Sequence, residues 1–336
     1  MTSRERILSA LALKQPDRVP FADDINLETR KRLMGREKFS DLEFADALGL
    51  DAIDCRTNDY YAPFFCETQI VNDHEFLGNG LIKSEKDLNL LIFPNPKEEK
   101  FYDPVKRFVD TVGKEEKAMF VYMSWCVEGV LNSMGIETFS YALYENPKLV
   151  ETILDRYAEW NCTVMERLNT VGIDFVITYN NIAYNSGPLV SPQVFREIFL
   201  PRLKKVADVC NLPWVYHGDG NIMPLIEDLL TLGMNGLHPI QTGIMDLKTV
   251  KEKFGNHLCL WGNVDLTYVL TRGTPEEVEE EVKRCIKDAG SNGGFILGSS
   301  NCLPPYCKTE NIWAMARAVQ KYGNYDNSVI VEKRGD

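Results

Sequence analysis

No stretch of this 336-residue chain approaches the roughly 20 consecutive apolar residues that span a bilayer, so a membrane protein is not expected. Nor is there a basic surplus: 37 Lys and Arg face 49 Asp and Glu, giving a formal charge of -12. Sequence-independent nucleic-acid binding depends on neutralising phosphates, and without a basic stripe it is excluded as the main activity. The nine cysteines form no CxxC pair and no disulfide-like spacing, which predicts reduced thiols in a cytoplasmic protein. Cys162, Cys210 and Cys285 fall in helical patterns and are expected to be small buried apolar groups. Histidine is scarce, with four in the chain, and His74 and His257 read as loop or surface residues with no assigned role. Residues 1–13 hold no leader-type apolar core and open instead as an amphipathic helix. Internal repeats, low-complexity tracts and linkers are also missing, and a single domain over residues 1–336 is expected.

What is present is alternation. From about residue 118 onward, short apolar runs trade places with amphipathic helices, the pattern of βα units around a parallel sheet. The runs are Ala118–Met123, Asp174–Thr178, Pro213–Tyr216, Gly236–Leu237, Leu258–Gly262 and Gly294–Leu297. Upstream, Val19–Ala22 reads as the first strand and Leu50–Ile53 as the second. Start signals mark the helices: Asn146-Pro147, Ser191-Pro192, Asp246, and the capping box Thr274-Pro275-Glu276-Glu277. Pro201 should interrupt the helix begun at Ser191. The last helix is expected over about 309–322, ending at Gly323. Residues 66–91 read as an irregular, hairpin-like excursion with turns at Gly78-Asn79-Gly80, and a lid is one role it could serve. The whole is an α/β fold, a (β/α)8 TIM-type barrel.

In such barrels catalytic groups come from the C-terminal ends of several strands. Here the strands are followed by Asp23-Asp24, Tyr179-Asn180-Asn181, His217-Gly218-Asp219-Gly220-Asn221, His238, Asn263 with Asp265, and Ser299-Ser300-Asn301-Cys302. Asn221, Asn263 and Asp265 read equally well as turn formers or caps. His217 does not, because it ends the apolar run Trp214-Val215-Tyr216. His-x-Asp puts His217 and Asp219 on one side of an extended segment. A cysteine from another strand end, Cys302 with Cys307 as competitor, would complete the three ligands of an open zinc site.

The same segments carry a likeness. Arg4-Glu5-Arg6, Pro16-Asp17-Arg18-Val19-Pro20, Gly187-Pro188-Leu189-Val190-Ser191-Pro192, His217-Gly218-Asp219-Gly220-Asn221, Gly236-Leu237-His238-Pro239, Trp261-Gly262-Asn263-Val264-Asp265 and Gly273-Thr274-Pro275-Glu276-Glu277-Val278 occur in order along nearly the whole chain. It resembles the uroporphyrinogen decarboxylase superfamily, in particular its corrinoid-dependent methyltransferase branch. The decarboxylases of that superfamily have an arginine-rich N-terminal segment. Here the corresponding stretch reads Phe21-Ala22-Asp23-Asp24-Ile25-Asn26, whose acidic pair would repel a polycarboxylate.

The resemblance therefore implies transfer of a methyl group from a small methylated donor, such as a phenyl methyl ether, to a corrinoid (cobalamin) carried by a partner protein. It implies zinc held by His217, Asp219 and Cys302. Asp219 stands where thiol-activating members have Cys, and a carboxylate makes the ion a harder Lewis acid, suited to an ether oxygen. His217, Asp23, Asn180 and Asn181 are then the candidate catalytic groups. Asp24, Tyr179, Tyr184, His238, Trp261, Asn263 and Tyr306 are the candidate substrate contacts. A porphyrinogen decarboxylase and a non-catalytic ligand-binding barrel are the alternatives.

Overall fold

The computed structural model describes residues 1–56, 62–71, 74–113 and 116–325. In chain order the strands are β1 (Ala52–Asp54), a hairpin of β2 (Cys66–Val71) and β3 (His74–Gly80), β4 (Ala118–Ser124), β5 (Phe175–Tyr179), a short pair β6 (Ala183–Tyr184) and β7 (Gly187–Pro188), β8 (Trp214–His217), β9 (Gly236–His238), β10 (Cys259–Val264) and β11 (Phe295–Ser299). Seven of them form one sheet in the order β1-β4-β5-β8-β9-β10-β11, with every neighbouring pair parallel.

The gap between β11 and β1 is filled by residues 20–22. Phe21 bridges Leu297 in parallel. Leu297 N–H donates to Pro20 O at 2.8 Å, and Asp51 N–H donates to Phe21 O at 2.7 Å. The first expected strand is thus a short bridging segment, and it closes the barrel.

Alternation along the strands separates two cores. Ala118, Phe120, Tyr122, Phe175, Ile177, Val215, Cys259, Trp261 and Ile296 fill the barrel interior. Their neighbours Met119, Val121, Val176, Trp214, Tyr216, Leu260, Phe295 and Leu297 face the surrounding helices. Helix Ser3–Leu11, capped by Thr2 and Glu5, contributes Ile7, Ala10 and Leu11 to the interior cluster. Below it, the carboxylate of the fully buried Asp51 accepts from Arg6 Nη1 at 2.6 Å, Arg18 Nη1 at 2.8 Å and Arg18 Nη2 at 2.9 Å. Much of the Arg4–Arg6 and Asp17–Pro20 likeness is this charge network, a structural device.

The expected helix starts all cap helices: Asn146, Ser191, Asp246 and the Thr274–Glu277 capping box. Pro201 sits inside Leu200–Val209, and the turn before it, Phe195–Phe199, widens to a π-helix. A proline lacks the N–H that a regular turn needs, and a π-turn is one way a helix takes up such a fault. Cys285 is buried as expected, whereas Cys162 and Cys210 are partly exposed.

The excursion is an antiparallel hairpin in which Cys66 pairs with Gly80 and Val71 with His74. Gly78-Asn79-Gly80 is within β3, not at a turn. Gly80 is there for another reason: a Cβ would stand 2.3–2.5 Å from the backbone of Met134, Gly135 and Ser133. The strand end thus lies directly on the end of helix Val127–Met134.

Candidate active site

Because β5, β8 and β9 each run one or two residues past their apolar cores, Tyr179, His217 and His238 are strand residues facing the barrel interior. Their rings stack in sequence: Tyr179 lies 4.0 Å from His217, His217 4.9 Å from His238, and His238 5.1 Å from Trp261, centroid to centroid. His217 Nδ1 meets His238 Nδ1 at 2.7 Å. Burial holds both imidazoles neutral, driving His217 well below its usual pKa and His238 down to about 3. Trp261 Nε1 donates to Ala22 O at 2.8 Å and is sealed in the interior.

Beside this stack lies an acidic group. Asp23 is buried, with Oδ2 accepting from Ser299 N–H at 2.7 Å. The Ser299 hydroxyl stands 2.8 Å from Asp23 Oδ1 and also bonds the Asn301 carbonyl. That hydroxyl has one hydrogen for two acceptors, so a neutral Asp23 supplies the second. Desolvation agrees, raising the Asp23 pKa well above the carboxylate range. Asp24 is raised too, by burial and then by Asp54, while Arg56 and Arg30 oppose the shift. Tyr179 Oη donates to Asp24 Oδ2 at 3.3 Å. The neighbouring cations are already engaged: Arg30 pairs with Asp41 and Asp54, and Arg56 lies 3.5 Å from Asp54 and 3.9 Å from Asp24.

A belt of side chains links four strand ends. Glu128, in the first turn of the helix after β4, accepts from Asn181 Nδ2 at 2.6 Å. Asn181 Oδ1 accepts from Asp219 N–H at 2.9 Å. Both Asp219 oxygens accept from Asn301 Nδ2, at 2.9 and 3.0 Å. Burial pushes Glu128 up to about 6 and raises Asp219. Sequence reading missed Glu128. The only signal was an acidic residue just past a strand, and the strand–helix junction in question had no motif around it.

Several expected contacts are placed elsewhere. Asn180 is fully buried, and its amide serves Trp125 O, Tyr179 O and Thr178 Oγ1. Asn263 faces outward, donating to Ile240 O at 2.9 Å and accepting from Arg284 Nη2 at 3.1 Å. The preceding Gly262 has a φ of 141°, which favours glycine, and a Cβ there would lie 2.2 Å from Pro239 O. Tyr184 and Tyr306 are exposed and neither packs in the core. Asn221 and Asp265 are turn and cap formers, accepting from Met223 N–H, and from Thr267, Tyr268 and Val269 N–H.

Catalytic zinc takes three donor atoms at about 2.0–2.3 Å from one point. Among the described residues, no three His, Cys, Asp or Glu side chains converge in this way. The expected set is not assembled, for identifiable reasons. Asp219 is tied by both oxygens to Asn301, and burial raises the pKa of the Cys302 thiol. Cys307 is sealed and pushed up to about 12 by burial. As arranged, these residues do not fit a three-ligand zinc.

The family described as Uroporphyrinogen decarboxylase (URO-D) matches residues 79–322, and the chain belongs to it. The methylcobamide:CoM methyltransferase MtaA of Methanosarcina barkeri is 25% identical over 190 residues, 56% of this chain and 54% of that protein. A methylated-thiol–coenzyme M methyltransferase of Methanosarcina mazei is 24% identical over 187 residues, 50% of this chain and 48% of that protein. The chain thus spans about half the length of these methyltransferase relatives. A uroporphyrinogen decarboxylase of Coxiella burnetii is 22% identical over 258 residues, 72% of this chain and 68% of that protein. The solved structure of a methyltransferase from Methanosarcina mazei aligns with a TM-score of 0.76 at 21% identity, over 96% of this chain and 99% of that one. That likeness establishes the barrel fold. Among the described residues, no helix is long and apolar enough to cross a membrane.

Proposed function

We propose that this chain is a methyltransferase that moves a methyl group from a small methylated donor, a phenyl methyl ether in the first instance, to a corrinoid carried by a partner protein in the cytoplasm. The observation that carries the reading is the pair of carboxyls, Asp23 and Asp24, lifted in pKa beside cations that are already paired. A polycarboxylate such as a porphyrinogen would need free cations there. A leaving oxygen needs a proton. The named activities of the Methanosarcina relatives support the same class.

In this mechanism the methyl–oxygen bond breaks with its electron pair staying on oxygen, and the methyl's new bond would take its electron pair from the reduced Co(I) corrinoid that the partner protein carries. Asp24 gives its proton to the departing oxygen, with Tyr179 Oη fixing the orientation of the carboxyl through its hydrogen bond. Asp23, neutral and bonded to Ser299, backs Asp24 without adding a second negative charge. The Glu128–Asn181–Asp219–Asn301 belt holds the strand ends at fixed separation. Zinc remains an expectation from the resemblance, and no step is routed through it.

The test uses the full chain, chemically reduced cobalamin and 2-methoxyphenol under anaerobic conditions, read by the change in cobalamin absorbance. Methyl transfer is expected, falling by about 10²–10⁴-fold in Asp24→Asn, the usual range for a lost general acid. Failure with ether, thioether and amine donors, together with decarboxylation of a porphyrinogen, would move the chain to the decarboxylase class. Elemental analysis belongs to the same experiment: stoichiometric zinc that His217→Ala and Cys302→Ala both remove would restore the Lewis-acid role.

A further inference from the structure

Outside the barrel, helix Asp103–Val112 turns Val105 and Val109 into the core. Pro104, Arg107, Phe108, Thr111 and Val112 recur three or four residues apart, so they share one helix face. That face lines a cavity of about 340 Å³. Leu42, in the first turn of helix Asp41–Leu48, lines it too, as do Cys55 and Arg56, just past β1. Cavities that take small organic ligands start at roughly 300 Å³ and combine apolar walls with a few placed polar groups. Phe108 and Leu42 are half-buried, which leaves apolar surface open to an occupant.

The charges around the cavity are unevenly matched. Arg30 pairs with Asp41 and Asp54, and Arg56 Nε lies 3.5 Å from Asp54. Two cations there meet two carboxylates. Arg107 is different: it is exposed, and among the described residues its guanidinium has no ion pair and no hydrogen bond. Arg56 Nη2 serves the Ile25 carbonyl and lies 3.9 Å from Asp24, so Nη1 is its unspent donor.

We infer that this cavity binds a small aromatic monocarboxylate, with the carboxylate on Arg107 and Arg56 Nη1 and the ring against Phe108 and Leu42. One unmatched guanidinium suits a single negative charge, and charge-assisted bonds from arginine to carboxylate are among the stronger polar contacts. A bare inorganic anion would leave the apolar wall uncovered. The site lies outside the barrel and goes beyond the methyl-transfer reading, so neither depends on the other.

The test titrates 4-fluorobenzoate against the full chain and follows the ¹⁹F signal. Saturable binding is expected, with a Kd on the order of 1 mM for a ligand of this size. Arg107→Gln should weaken it about tenfold or more, the usual cost of losing a charged hydrogen-bond partner. Thr111→Phe, which fills the cavity, should abolish it. Uncharged 4-fluorobenzamide should bind far more weakly than the acid. Arg107 and Thr111 are both exposed, so both variants should fold, as an unchanged Tm would check. Absence of saturable binding to wild type would overturn the inference. So would wild-type affinity in Arg107→Gln or Thr111→Phe, or equal affinity for the amide.

Discussion

Replacing Glu128 by Gln removes a titration that the fold makes unfavourable. Burial lifts this carboxyl from 4.5 to about 6, against the pull of its hydrogen bonds from Asn181. The folded state therefore binds the proton more tightly than the unfolded chain. Stability is fully present below the unfolded value and is lost as pH rises through the folded one. At ~1.4 kcal/mol for each tenfold change in proton affinity, the rise from 4.5 to about 6 makes the loss about 2 kcal/mol by neutral pH. Glutamine carries no charge, so the stability difference between variant and wild type should change by about that amount between pH 4 and pH 7. Any constant cost of losing an acceptor for Asn181 does not alter this slope. Unfolding entropy of ~2.1 cal/mol/K per residue, applied to this chain, converts the change to a relative Tm gain of about 3 °C for the variant. Thermal unfolding of both proteins across that pH range is the assay. A Tm difference that does not vary with pH would refute the claim that Glu128 is ionised under burial in the belt.

Two further substitutions examine the frame. Asp51→Asn strips the buried carboxylate that Arg6 and Arg18 share, leaving Arg18 without its counter-charge and Arg6 with Asp17 alone, for an expected loss of roughly 3–5 kcal/mol in denaturant unfolding. A loss under 1 kcal/mol would mean that the network contributes little. Gly80→Ala places a methyl against the backbone of residues 133–135, so the hairpin end must lift from its helix at a cost of about 1–3 kcal/mol. Limited proteolysis should then cut near β3 sooner than in wild type, and an unchanged digestion pattern would show that the strand can yield without detaching.

The features written in the sequence are local ones. Caps at Asn146, Ser191, Asp246 and Thr274 are satisfied within one turn, so residue type and spacing are enough to place them. Parallel strands buried on both faces read as apolar runs, which is why the barrel order was visible. Strand ends were harder. Tyr179, His217 and His238 are polar or amphipathic residues that close strands, and pattern alone cut the strands short of them.

What only the tertiary structure decided is where each polar group is spent. Asn180 and Asn263 look like Asn181 in sequence, yet one is consumed by backbone carbonyls and another by a helix outside the barrel. Asp219 meets Asn301 from across 82 positions of chain. The nearness of His217 to His238 follows from β8 and β9 being paired in register. Hydrogen bonds and desolvation act over a few ångströms, whereas the sequence orders residues along a line. Which groups become neighbours, and which carboxyls stay protonated, is therefore fixed only when the sheet closes.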